Sequence, residues 1–145
     1  MARKRRFFVV GWTCVMLPAL VFGTPLHAQV TVPQYEVDPY WPKPLPDRWV
    51  LGGLADVCVD AQDHVFILNR QDVLDVNLNA GSLAPSIIEF DPAGNVVNSW
   101  GDPELLDPRL HGCHFDGDNN VWIVSAPSGM VQKYSHDGDL LFQIG

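Results

Sequence analysis

From Leu54 onward the chain is written twice, and this repetition limits what it can fold into more than any other feature. VDAQDHVFI at 59–67 matches FDGDNNVWI at 115–123: an apolar residue, an aspartate, a polar turn, then valine, an aromatic and isoleucine. The copies lie 56 residues apart. IIEFDPAGNVVNSWG at 87–101 matches VQKYSHDGDLLFQIG at 131–145 with an offset of 44, so the first copy carries a twelve-residue insertion, placed within 71–84. Each copy holds two hairpin signals. Val57–Asp60 and Val65–Leu68 flank a polar turn, as do Ile87–Phe90 and Val96–Trp100, and DGDNN and SHDGD play the same part in the second copy. No segment keeps a helical period. Four short strands in about 44 residues is the spacing of β-propeller blades.

The expected fold is therefore all-β: about two four-stranded antiparallel blades, residues 51–101 and 102–145, of a six-bladed ring. A blade buries its faces only against neighbouring blades, and a ring needs at least four. The chain stops at FQIG directly after a strand, which predicts the N-terminal part of a longer protein with an uncovered apolar blade face. The remaining blades are then its first partners.

The segment before the repeats divides in two. Residues 1–28 read as a signal peptide, with Arg3, Lys4, Arg5 and Arg6 ahead of an apolar run that exits at Ala28. Its loss predicts a secreted or periplasmic protein with no membrane span. Removing four of the nine basic residues leaves five against 17 acids, a balance that gives no electrostatic reason to bind nucleic acid. Residues 29–50 form an extended arm rich in proline, whose Tyr35, Tyr40, Trp41 and Trp49 are expected to pack on a neighbouring surface.

Two cysteines remain after cleavage, Cys58 and Cys113. They differ by one position in repeat register, since Cys58 aligns with His114 and Cys113 with Val57. Strand alternation then sends their side chains to different faces, which argues against a bridge and for two small core residues.

Secreted NHL-type six-bladed propellers are similar to this chain, and among them it resembles the peptidyl-hydroxyglycine amidating lyases. The likeness rests on VCVDAQDHVFILNR at 57–70, IIEFDPAGNVVNSWG and LHGCHFDGDNNVWIV at 110–124. It implies that His111, in a His-Gly pair opening the second blade, is one of three zinc ligands drawn from different blades. It implies that Arg70, closing the second strand of the first blade, holds the substrate's carboxylate during catalysis, and that the backbone carbonyls of Val57 and Cys113 help to hold a structural calcium. The ligand at the tunnel mouth would be a peptide or small molecule. Asn69 stands where these lyases often have histidine, VSAPSG replaces an acidic continuation, and Tyr134 sits in a core strand and cannot replace their catalytic tyrosine.

Each residue also has a plainer reading. His111 is a loop hydrogen-bonding residue in many propellers, and Arg70 could pair with Asp72 or Asp75. His114 lies three residues after His111, and its expected role is packing in the core. Val121 and Pro127 stand where a calcium loop starting at Asp116 needs glycine and glutamate, so the acids of DGDNN belong to a turn. The rival functions are a non-enzymatic propeller that binds a partner and a sugar-lactone hydrolase of the same architecture. The second would need metal-binding carboxylates at the tunnel mouth.

Overall fold

A computed structural model describes residues 32–107 and 109–145, and the expected signal peptide lies outside them. Residues 37–145 make one unit. Ten strands run in chain order: β1 (Trp49–Val50), β2 (Leu54–Val59), β3 (Val65–Asn69), β4 (Ser82–Leu83), β5 (Ile87–Phe90), β6 (Val96–Trp100), β7 (Leu110–Phe115), β8 (Val121–Ser125), β9 (Val131–Tyr134) and β10 (Leu140–Ile144). They build two four-stranded antiparallel sheets, β2-β3-β5-β6 and β7-β8-β9-β10, and a parallel ribbon of β1 with β4. The strands agree closely with the hairpins expected from the repeats. A 3-10 helix, Asp75–Ala80, lies in the connection between β3 and β5.

The turns show why the repeat folds as it does. Asp60 accepts hydrogen bonds from the backbone N–H groups of Gln62 and His64, both at 2.8 Å. Asp116 does the same for Asp118 and Asn120 at 3.0 Å. The aspartate that ends each first strand therefore closes its own turn.

One face of the first sheet packs on one face of the second. Cys58, Phe66, Leu68 and Ile87 meet Leu110, Val121, Ile123 and Tyr134, with Phe66 in edge contact with Phe115 at 4.8 Å. Facing surfaces of stacked sheets are opposite faces of equivalent sheets. Phe66 aligns with Trp122, yet the residues of β8 that share its core cluster are the neighbours of Trp122, Val121 and Ile123.

That parity corrects the cysteine expectation. Cys58 and Cys113 form a disulfide with Cα atoms 6.0 Å apart. Their one-position difference in register is what turns both side chains into the shared gap: one leaves the first sheet by its front face, the other leaves the second by its back. The alternation was right, and the inference drawn from it took the two faces in the wrong relation.

The other face of the first sheet is covered by the arm. Trp41, Leu45, Trp49 and Leu51 pack on Ile67, Ile88 and Phe90, so β3 and β5 are buried on both sides. Tyr40 corrects the expectation for the arm: its side chain stays exposed, while Trp41 and Trp49 do the packing. Tyr35 corrects it as well, its side chain being exposed.

The arm also imitates the contact that joins the two sheets. Trp41 lies 5.6 Å from Phe90 and against Gly94; Trp100 lies 5.2 Å from Tyr134 and against Gly138. Phe90 and Gly94 align with Tyr134 and Gly138. Both glycines have positive φ, +86° and +99°, and a Cβ on either would press into the indole, so the turn glycine serves backbone and packing together.

On the outer face of the second sheet Trp122 and Phe142 meet, and among the described residues Val124, Phe142 and Ile144 are exposed there. His114 is corrected here: it is exposed on this face and takes no part in the core between the sheets.

Tyr134 is 1% exposed, and its hydroxyl has no hydrogen-bond partner among the described residues. Burial, helped by the charge of Asp102, pushes its phenol up to about 12. The equivalent residue in the first sheet is Phe90, so Tyr134→Phe should stabilise the unit by about 1 kcal/mol at neutral pH, by removing an unpaired buried hydroxyl. The folded phenol titrates above the unfolded one, so its contribution is intact below about pH 10 and is lost as pH rises towards about 12. The phenylalanine variant should lack that alkaline loss, and urea unfolding at pH 7 and pH 11 checks both effects.

Candidate functional site

Two groups of polar side chains sit at opposite ends of β2 and β7, the neighbouring edge strands of the two sheets. At the end where these strands begin, Asn69 is fully buried. Its amide accepts from the Gly52 N–H at 2.8 Å and donates to the carbonyls of Ala84 and Pro85 at 3.2 and 3.0 Å. This fixes the exit of β3, and with it Arg70, whose own N–H donates to the Gly53 carbonyl at 3.0 Å.

The Arg70 side chain crosses to the second sheet, where Nε donates to the carbonyl of Leu110 at 3.0 Å. Among the described residues no carboxylate lies within ion-pair distance of it. The expected alternative, a pair with Asp72 or Asp75, is not found. Asp72 instead accepts from the Gly53 N–H. Arg70 is half-buried, its fork free of acid partners.

His111 follows Leu110 and is exposed. It lies inside β7, not in a loop before it, at an irregularity between Leu110 and Gly112 where strand pairing shifts by one residue. Such a bulge re-aims a side chain at a sheet edge. The hydrogen bond from Arg70 to Leu110 thus brings two of the residues singled out from the sequence to the same end of the paired sheets.

Val57 and Cys113 lie on these same edge strands. The Cys113 N–H donates to the Asp56 carboxylate at 3.0 Å, and Val57 carries an exposed side chain. The Cys113 sulfur is committed to the disulfide.

At the other end lies a group that the sequence reading did not assemble. Asp60, His64 and Glu89 come from the first sheet, and ligand atoms on all three lie within 4.8 Å of one another. His64 Nδ1 is 2.5 Å from Glu89 Oε1. His136, from the turn between β9 and β10, places Nε2 2.8 Å from Asp60 Oδ2 and 3.6 Å from Glu89 Oε1. Asp60 and Glu89 are 7% and 3% exposed, too deep for water to stabilise both charges.

Electrostatics around this group favour ions. Burial raises the Asp60 carboxyl, but the hydrogen bond from His136 and those from the backbone of His64 and Gln62 outweigh it and hold the group below its ordinary value. Burial lowers His136, but the hydrogen bond to Asp60 and the charge of Glu89 outweigh it and raise the imidazole. A position-by-position comparison of the repeats could have found the group. The second sheet has Asn120, Trp122 and Lys133 where the first has His64, Phe66 and Glu89.

In the second sheet the equivalent aspartate is neutralised conventionally. Asp116 Oδ2 takes Lys133 Nζ at 2.8 Å and Trp122 Nε1 at 3.0 Å, and these bonds hold its carboxyl well below the usual range. No protein-family model matches the sequence, and no curated protein gives a significant match.

Proposed function

We propose that the two sheets are blades of an exported NHL-type six-bladed propeller, and that the rim carrying Arg70 and His111 is its ligand-binding end. The reaction that fits this rim is zinc-assisted cleavage of a carbinolamide C–N bond, as in the amidating lyases that the sequence resembles. The observation that carries the reading is the state of Arg70. Its Nε is fixed by the Leu110 carbonyl and among the described residues no acid pairs with it, so its planar fork can receive a substrate carboxylate through two parallel hydrogen bonds.

His111 would supply one of the zinc ligands, with the others coming from further blades. The exposed imidazole on the neighbouring strand residue suits that task. When bound, zinc supplies Lewis-acid polarisation of the substrate hydroxyl. Arg70 anchors and orients the carboxylate, and Asn69 holds the β3 exit so that the guanidinium stays aimed. Export is in keeping with the disulfide, which persists in oxidising compartments, and among the described residues no helix is long and apolar enough to cross a membrane.

The test is release of glyoxylate from an N-acyl-α-hydroxyglycine by the exported protein. Arg70→Ala should raise KM about 30-fold or more for this carboxylate substrate, the loss of a charge-assisted hydrogen-bond pair, and much less for its ester. His111→Ala should abolish turnover. A protein that binds such ligands without releasing glyoxylate would be a non-enzymatic propeller, and equal effects of Arg70→Ala on acid and ester would remove the arginine from the site.

A further inference from the structure

The geometry points to a second metal site, independent of the rim: a zinc ion held between the sheets by Asp60, His64, Glu89 and His136. The argument begins with charge. At this place in the second sheet one aspartate faces one lysine, Asp116 with Lys133. In the first sheet the lysine position is Glu89, so a carboxylate stands where a cation balanced the aspartate. Two carboxylates buried together are costly unless cations match them. Both neighbours that could do so are histidines, His64 in place of Asn120 and His136 in place of Pro92. Among the described residues no lysine or arginine forms an ion pair with Asp60 or Glu89.

The donor set selects the metal. Two imidazole nitrogens with two carboxylate oxygens suit zinc in four-fold coordination, whereas calcium and magnesium prefer oxygen alone. Bonds of about 2.0–2.1 Å imply ligand atoms roughly 3.3 Å apart. Glu89 Oε1 stands 2.5 Å from His64 Nδ1 and 3.6 Å from His136 Nε2, and the latter is 2.8 Å from Asp60 Oδ2.

The two short pairs need to open by less than about 1 Å to admit the ion, which then replaces the protons these pairs now share. The remaining oxygen of Asp60 stays on the N–H groups of Gln62 and His64, and this orients the ligand. Because His136 belongs to the second sheet and the other three to the first, the ion would tie the sheets together. The disulfide does so at β2 and β7.

The test uses zinc alone, on the chain as exported. The wild-type protein should retain one equivalent of zinc per chain more than the Glu89→Lys variant after dialysis against metal-free buffer, and its thermal midpoint should rise with added zinc. Glu89→Gln should weaken zinc at least 10-fold in a chelator competition. Glu89→Lys recreates the charge balance of the second sheet, so it should fold, as judged by circular dichroism, and bind no zinc at this site. His111→Ala should retain the ion, which separates this site from the rim. Wild-type protein that takes up no zinc, zinc held as tightly after Glu89→Lys, or tighter binding of calcium than of zinc would each overturn the assignment.

Discussion

Replacing Cys58 and Cys113 together by alanine is expected to lower the unfolding free energy by about 4 kcal/mol. The bridge closes a loop with a sequence separation of 55, long enough for its loss to release considerable chain entropy in the unfolded state. Cys58 is 9% exposed, pairs with Phe66 in its own sheet and shares an apolar cluster with Val121 of the second, and alanine keeps that surface apolar. Urea unfolding of the double variant and of the reduced wild-type protein should give the same shift in midpoint. A change below about 1 kcal/mol would mean that side-chain packing alone holds the sheets together.

The fold was legible because the turns are legible. DPAGN, DGDNN and SHDGD each leave the chain little choice but to reverse, and the apolar runs between them are too short for helices. The relation between the sheets was harder to read. Alternation along β2 and β7 says which side chains share a face of one sheet, but which face meets the neighbour is set by the stacking order, and the disulfide turns on that.

The arm was half legible for a related reason. Its aromatics announce packing, but the choice of Trp41 over Tyr40 depends on imitation of Trp100, and both tryptophans open a W-x-x-P segment ahead of a first strand. The rim was visible as two separate residues, Arg70 and His111, whereas the link between them runs through a backbone carbonyl that no side-chain pattern encodes. The buried cluster was missed because its members are spread over the chain: His136 and Asp60 are 76 residues apart. Each looks ordinary in its own turn, and only the exchange of Lys133 for Glu89 between the repeats betrays them.

Trp100→Ala should cost about 3–5 kcal/mol, and Trp41→Ala should cost less while freeing the arm. Trp100 closes the gap between the sheets: its indole rests on the buried Tyr134 ring and on the backbone of Gly138, whose positive φ keeps that surface flat. Deleting it opens a cavity that the glycine turn cannot fill, since any side chain there would be strained. The loss is tempered because the buried indole N–H has no partner among the described residues, so its removal also relieves a desolvation cost. Trp41 makes the same contact with Phe90 and Gly94 from a segment held by few other bonds, among them Lys43 N–H to the Gly94 carbonyl at 2.9 Å. Its truncation should therefore leave the two sheets joined and expose Ile67 and Ile88 only when the arm lifts. Urea unfolding separates the magnitudes, and limited proteolysis separates the mechanisms: the Trp41 variant should be cut within residues 37–48 at protease levels that spare the wild type, with the sheets intact. Equal protection of the arm in both proteins would show that Leu45, Trp49 and Leu51 suffice to hold it.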